Sequence, residues 1–349
     1  MSKWYDSQYP DTDIFISSQI RYARNIENYN FVPKLNEKSA VELVEQVKGI
    51  LPKIAKTNEE RQFFGCNLRE LSDLDRNALM EKHIISPGFA KRKQTTGLIL
   101  SADEGVSICI NDQDHLRIRV VHGGNSMEKV LKEINSIDDA ISEEVKYAFD
   151  EKLGYLTSCP TNVGTGMRAT YLLFLPALSV EEKIPQIIEE VGKYGINFRG
   201  IFGENGKSAG SLYQISNQKT LGYSEEEIVS NLNRMTMQIA QEEKKHREYI
   251  LAANGEEWKD RVHRAYGILK YATSMSSQEA MQLLSEVKFG IDTGLLTLES
   301  EVNIYPMILN IRPCNIQWKL SKMVGKNLRD RLRADYLREH LPELKVGSE

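Results

Sequence analysis

Ser158-Cys-Pro-Thr-Asn-Val-Gly-Thr-Gly-Met-Arg168 gathers a thiol, a proline, three hydroxyls, two glycines and an arginine into eleven residues, and the apolar run Tyr171-Leu-Leu-Phe-Leu-Pro176 follows at once. The glycines allow close backbone approach. Pro160 fixes one φ and removes a donor. The planar fork of Arg168 suits phosphate oxygens. A thiol beside hydroxyls and an arginine suits a stabilised thiolate. The composition reads as a rigid, glycine-lined anion loop held against a buried strand. Gly164-Thr-Gly166-Met-Arg-Ala169 also fits the letter of the dinucleotide fingerprint. That fingerprint must follow a strand and open a helix. Here the lead-in is polar and contains Pro160, and the sequel is β-rich and closed by Pro176, so the dinucleotide reading is set aside. A free cysteine is also commonly a small buried hydrophobe, so the loop alone implies only anion binding.

Other charged residues gather at the ends of short apolar runs. Residues 13–24 begin as a strand and end with Arg21 and Arg24. Two arginines at a strand end can converge on one anion, and the plain alternative is two solvated charges. Asn111-Asp-Gln-Asp-His115 precedes Leu116-Arg-Ile-Arg-Val-Val121, where alternation separates Arg117 and Arg119 from Leu116, Ile118 and Val120. That pairing is either a carboxylate site or a cross-strand salt bridge, and periodicity favours the salt bridge. Gly203-Glu-Asn-Gly-Lys-Ser-Ala-Gly210 is small and polar, which reads as a mobile loop. It lacks the four-residue spacing before Gly-Lys-Ser that a Walker A loop requires.

The elements that must position these residues follow from pattern. Helical spacing covers 38–56 with Val41, Val44, Val47, Ile50, Leu51 and Ile54, and a second helix ends near His83. Residues 97–101 and 106–111 form a hairpin about Asp103-Glu-Gly105. Helices cover 126–149 and 180–193, and short strands cover 198–202 and 212–216. Ser224-Glu-Glu-Glu227 is a capping box that opens a helix to about Ile250. Asn254-Gly255 stops it and divides the chain into 1–255 and 256–349. Helices then cover 257–272, 278–289, 299–310 and 326–340. The 349 residues, 41% of them hydrophobic, are ample for two domains. A net charge of -4 argues against a nucleic-acid face. No stretch is long and apolar enough to span a bilayer, and the four cysteines form no disulfide grid or metal pair. A reducing cytoplasm fits.

The order of these pieces is more specific than any one of them. SSQIRYARN at 17–25, NDQDHLRIR at 111–119, CPTNVGTGMRA at 159–169 and RGIFGENGKSAGSLYQISNQKTLGYSE at 199–225 resemble, in order, the motifs of the phosphagen kinases, the ATP:guanidino phosphotransferases. The resemblance implies an α+β catalytic core, an antiparallel β-sheet flanked by helices, followed here by an all-helical C-terminal domain. It implies ATP, held by Arg21, Arg117, Arg168 and Arg199 with Arg24 near the same strand end. It implies Mg²⁺ held by phosphates and water, with no protein metal ligands. Glu204 matches the mobile-loop carboxylate that contacts the guanidinium. Cys159 matches the substrate-side thiolate, with Thr161 as its hydroxyl neighbour.

Two departures stand out. Gln19 replaces a further arginine of the family, and Gln113 falls where the family carries its catalytic glutamate. Asp112 or Asp114 is then left to substitute, each a methylene shorter. The first arginine motif begins at Ser17, so the helical domain that precedes it in small-guanidine kinases is not expected here. With its helical extension the architecture resembles the bacterial protein-arginine kinases. In that branch a related Arg-Asp-x-x-Arg-Ala pattern supports dimerisation and phosphoarginine binding, and it matches Arg329, Asp330 and Arg333. A solvated charged helix face is the alternative for those residues. The branch implies phosphorylation of arginine side chains on proteins that expose them, tagging for a Clp-type unfoldase–protease, and a role in bacterial stress response. Its partners would be a heat-shock repressor and a zinc-binding activator. A cytoplasmic homodimer or higher homo-oligomer is expected, with no membrane and no nucleic acid. The alternative is a catalytically weak homologue that binds phosphoarginine proteins as an adaptor, which Gln19 and Gln113 favour.

Overall fold

The computed structural model describes residues 2–203 and 208–345. They form two compact units. The first comprises Met1–Pro10, Ser17–Tyr171 and Ser216–Arg234; the second comprises Asp11–Ile16, Leu172–Ile215 and Met235–Glu349. Glu204 lies outside the described residues.

The first unit is built on an antiparallel sheet. Its strands are β1 (Phe15–Arg24), β2 (Phe63–Asn67), β3 (Gly97–Ser101), β4 (Val106–Ile110), β5 (Leu116–Gly123) and the start of β8 (Met167–Phe174). They lie in the order β2-β3-β4-β5-β1-β8, and the pairs β2–β3, β3–β4, β4–β5 and β5–β1 are antiparallel. The expected hairpin at 97–111 is present, with Glu104 at φ 61° in its turn. Register places Arg21 opposite Arg119 and Ala23 opposite Arg117.

Helices α1 (Glu37–Gly49), α2 (Leu51–Thr57), α3 (Asp73–Glu81), α4 (Pro87–Ala90) and α5 (Met127–Ser142) complete this unit. The single helix expected over 38–56 is two, because Pro52 restarts the backbone just after Ile50. The buried stripe of α1 is Ala40, Leu43, Val44 and Val47, whereas Val41 is exposed. β2 has no clear alternation to mark it in the sequence. The helix expected to reach 149 ends at Ser142. Its tail instead forms the small hairpin β6 (Phe149–Asp150) and β7 (Gly154–Tyr155), in which Asp150 accepts the backbone N–H groups of Lys152 and Leu153.

Tyr155 N–H donates to the Gly164 carbonyl, which ties this small hairpin to the loop after it. At Gly164, φ is 113° and an added Cβ would stand 2.3 Å from the Thr220 carbonyl oxygen, so this site admits only glycine. The loop before β8 is therefore clamped by backbone, as its glycine content led one to expect.

The second unit carries α6 (Pro176–Val180), α7 (Ile184–Gly192), the neighbouring strands β9 (Ile196–Phe202) and β10 (Ser208–Asn217), most of α8 (Glu225–Tyr271), α9 (Ser277–Asp292), α10 (Ile304–Asn310), α11 (Pro313–Lys319) and α12 (Lys326–His340). The helix expected over 180–193 starts only at Ile184, as α7, and the separate helix α6 ends at Val180 before it. The one expected over 299–310 starts only at Ile304. The capping box at Ser224 and Glu227 is reciprocal: each backbone N–H donates to the other side chain. At Asn254, φ −139° and ψ 36° bend α8. In the interior of this unit, the Glu243 carboxylate accepts the N–H groups of Ala177 and Leu178 and the Arg247 guanidinium. No described helix is long and apolar enough to cross a membrane.

Candidate active site

Antiparallel pairing and alternation bring three arginines of the first unit together. Arg21 lies on β1, Arg117 on β5 and Arg168 at the start of β8. Burial, then the positive charges of Arg117 and Arg168, lower the pKa of Arg21 to about 9, and Asp112 and Asp114 pull it back up. The Arg21 Nε is buried with no hydrogen-bond partner among the described residues. A buried donor left unmade is costly, and one beside two further guanidiniums suits an anion. This observation fits the phosphates of ATP. Arg168 reaches the Ser216 hydroxyl at 3.4 Å. Arg119, opposite Arg21 and 5% exposed, joins the expected arginines, and alternation places it on the same face as Arg117. Its Nε donates to Gln19 Oε1 at 2.7 Å. Gln19, where the family has an arginine, thus accepts from a guanidinium where an arginine would repel it.

The acidic turn 111–115 distributes its residues sharply. Asp112 and Asp114 are buried and only Gln113 is exposed. Asp112 accepts from Arg117 Nη1 at 2.9 Å and from the Ser86 hydroxyl at 3.3 Å. This is the salt bridge that periodicity favoured. Asp114 accepts from Asn25 Nδ2 at 2.8 Å and from the Ser158 backbone N–H at 2.6 Å. Both carboxylates expected to stand in for the missing glutamate are therefore turned inward. Cys159 follows Ser158, and its Sγ lies 3.0 Å from the Thr161 hydroxyl, as the pairing of those residues in the loop anticipated. His115 is buried: its Nδ1 accepts the Ile26 N–H, and its Nε2 lies 3.0 Å from the Asn30 carbonyl.

Arg24 is a correction. It is 1% exposed and faces inward, with Nε and Nη2 on Asp138 and Nη1 on the carbonyls of Ala23 and Thr165. Its guanidinium stacks 3.6 Å from the Tyr155 ring centroid. A guanidinium so enclosed presents no face to a phosphate. Its work is to join β1 to α5 and to the loop before β8. Removing one partner of a buried ion pair costs about 3–5 kcal/mol. Arg24→Met is therefore expected to lower the melting temperature by roughly 10 °C while leaving the ATP affinity of the folded protein within a factor of about 2. Thermal unfolding and nucleotide titration of the same sample check this.

Arg333 is corrected in the same way. It is 1% exposed and donates to the Ile311 and Met275 carbonyls and to Asp330. Asp330 in turn accepts the Met275 N–H through its own carbonyl. These two residues tie α12 to the segments before α9 and after α10, whereas half-buried Arg329 makes no such side-chain contact among the described residues. Arg199, on β9 of the second unit, is exposed and donates twice to Gln214 Oε1 on β10. Among the described residues, no group of three or more His, Cys, Asp or Glu side chains could hold a metal ion.

Solved structures place this architecture among the phosphagen kinases. The duplicated taurocyamine kinase from Schistosoma mansoni matches with a TM-score of 0.60 and 25% identity, over 71% of this chain and 36% of that one. Lombricine kinase matches with a TM-score of 0.58 and 23% identity, over 71% and 69% of the two chains, a likeness of fold alone. In sequence, residues 42–246 match the C-terminal catalytic domain of the ATP:guanido phosphotransferases, and the chain belongs to that family. Residues 255–349 match the C-terminal domain of the protein-arginine kinase McsB. The protein-arginine kinase of Clostridium acetobutylicum is 38% identical over 98% of this chain and 100% of its own length. That of Bacillus cereus is 41% identical over 98% and 96%.

Proposed function

We propose that this chain uses ATP to phosphorylate arginine side chains of proteins. The observation that carries this reading is similarity to protein-arginine kinases along 98% of the chain, the helical C-terminal segment included. Arg21, Arg117 and Arg168 take the phosphate oxygens, and family resemblance assigns Arg199 to the same phosphates. Mg²⁺ would arrive bound to the nucleotide's phosphates and supply further neutralisation of their charge. Phosphoryl transfer asks mainly for positioning and charge stabilisation. A guanidinium nitrogen of the acceptor attacks the γ-phosphorus, the bond to the β–γ bridging oxygen breaks, and ADP carries away that electron pair. Glu204 aligns the acceptor guanidinium and receives its proton. Cys159, with Thr161 at its sulfur, faces the same guanidinium.

Residues 256–349 form the dimerisation and phosphoarginine-sensing part in this reading, with Arg329 as the half-buried contact. The phosphorylated arginines would mark proteins for a Clp-type unfoldase–protease in the cytoplasm during stress. A heat-shock repressor would be a substrate and a zinc-binding protein an activator. The support for these steps is the resemblance to the protein-arginine kinase branch.

The exposed Gln113, flanked by two inward carboxylates, favours one second reading. In it the chain binds phosphoarginine proteins and turns over weakly. Incubation with Mg-ATP and an unfolded arginine-rich protein, beside a tube of free arginine, separates the readings. Products are identified by mass spectrometry without acid, since the N–P bond is acid-labile. We expect phosphate on protein arginines only. Product on free arginine would move the chain to the small-guanidine kinases. ATP binding without any product would leave the adaptor reading.

A further inference from the structure

Within the reading above, the loop that carries Cys159 must be held in place by groups that never touch the acceptor. We infer that Asp114, together with Asn25, is a positioning residue for this loop and not a proton acceptor. Asp114 is 2% exposed. One of its oxygens, Oδ1, accepts both the Ser158 N–H at 2.6 Å and Asn25 Nδ2 at 2.8 Å. A backbone N–H on a buried carboxylate is a charge-assisted bond, short and strong. It grips the residue immediately before the thiol.

The other end of the strut is equally fixed. Asn25 Nδ2 also donates to the Leu156 carbonyl at 3.0 Å, and Asn25 Oδ1 accepts the His115 N–H at 2.9 Å. His115 Nδ1 accepts the Ile26 N–H, so the ring proton sits on Nε2 and points to the Asn30 carbonyl. Burial lowers the His115 pKa, which keeps that neutral tautomer. Asn25 follows directly on β1, the strand that presents Arg21. The strut therefore sets the acceptor-side thiol at a fixed place relative to the phosphate-side arginines, all within the first unit. The far end of the loop has its own backbone clamp, since Thr165 N–H donates to the Thr220 carbonyl. At the Cys159 end the corresponding grip comes from the Asp114 carboxylate.

The protein supplies its own controls for a test. Cys66 is half-buried, Cys109 is buried, and both lie in the same unit as Cys159. Purified Asp114→Ala, Asp114→Asn and wild-type protein are alkylated with iodoacetamide, and each cysteine is followed by mass spectrometry. In Asp114→Ala the rate at Cys159 is expected to change at least about fivefold relative to Cys66, with Cys109 still protected. The Michaelis constant for the protein acceptor is expected to rise about tenfold or more, with ATP affinity within about twofold. Asp114→Asn keeps an Oδ1 acceptor and is expected to restore most of both. An unchanged ratio of Cys159 to Cys66 would overturn the inference. So would reaction of Cys109 in both variants, which would make the strut a support of the whole fold. Loss of turnover in Asp114→Asn with Cys159 reactivity unchanged would make Asp114 the proton acceptor after all. Alkylation requires no phosphoryl transfer, so an enzyme that proved to phosphorylate nothing would leave this result standing.

Discussion

Arg21→Ala is expected to slow phosphoryl transfer by roughly 10³-fold, the scale of losing a guanidinium or an oxyanion donor that stabilises transition-state charge. The folded protein is expected to be as stable as before, or more so. Both expectations come from one observation: Arg21 is half-buried beside other guanidiniums, and its buried Nε makes no hydrogen bond among the described residues. Its folded-state pKa lies below its unfolded value. At neutral pH the charged group thus opposes folding, and the opposition is relieved only as pH climbs through about 9 toward the unfolded value. An anion relieves it at neutral pH, and that relief is available for binding ATP. Deleting the side chain removes the repulsion from Arg117 and Arg168 together with the binding it made possible. Arg21→Lys keeps the charge without the planar fork, so an intermediate rate is expected. Single-turnover rates and melting temperatures with and without ATP measure these effects. Wild type should gain more from ATP than Arg21→Ala does. A rate loss under about tenfold would remove Arg21 from the phosphate site.

Gln113→Glu is expected to have a comparable effect in the opposite direction, raising turnover by about 10²-fold, the lower end of what a positioned acid–base group contributes. Glutamine accepts a hydrogen bond but cannot carry the charge that aligns a guanidinium or take its proton. The neighbours cannot do so from where they stand, since Asp112 is engaged with Arg117 and Asp114 with the thiol loop. Position 113 is exposed in the turn between β4 and β5, so the added charge meets water and stability should move by no more than about 0.5 kcal/mol. The new carboxylate should also bring an acid limb to the pH–rate profile. A second carboxylate beside Glu204 is what this variant supplies, and if turnover barely changes, Glu204 by itself suffices to align the guanidinium and take its proton. If turnover rises and phosphoarginine binding stays the same, the natural emphasis is on binding.

The reaction class was legible in local order. The Cys159 loop, the arginines at 21, 117, 168 and 199 and the acidic turn recur as contiguous motifs, and each motif is short enough for its residue types to be read directly. The hairpin about Glu104 and the cap at Ser224 were equally legible, because turn and cap chemistry depend on a few neighbouring residues. Helix limits were less so. Pro52 splits one periodic stretch, and residues after Ser142 leave the helix to form a hairpin locked to Gly164. The same stretch is tied to the end of β1 by the Ala148 N–H on the Asn25 carbonyl, a contact distant in sequence that leaves no local sign.

The division of labour among like residues belongs to the tertiary structure. Arg21 and Arg24 are three positions apart on one strand, yet one is surrounded by positive charge and the other is enclosed by Asp138 and Tyr155. Arg333 and Asp330 sit in a motif that invites a ligand, but Arg333 spends its donors on carbonyls of distant segments. Asp112, Gln113 and Asp114 are consecutive, and only the turn decides that the two acids point inward and the neutral residue outward. Residue type sets what a side chain can do. Its burial and the charges folded against it decide which of those things it does.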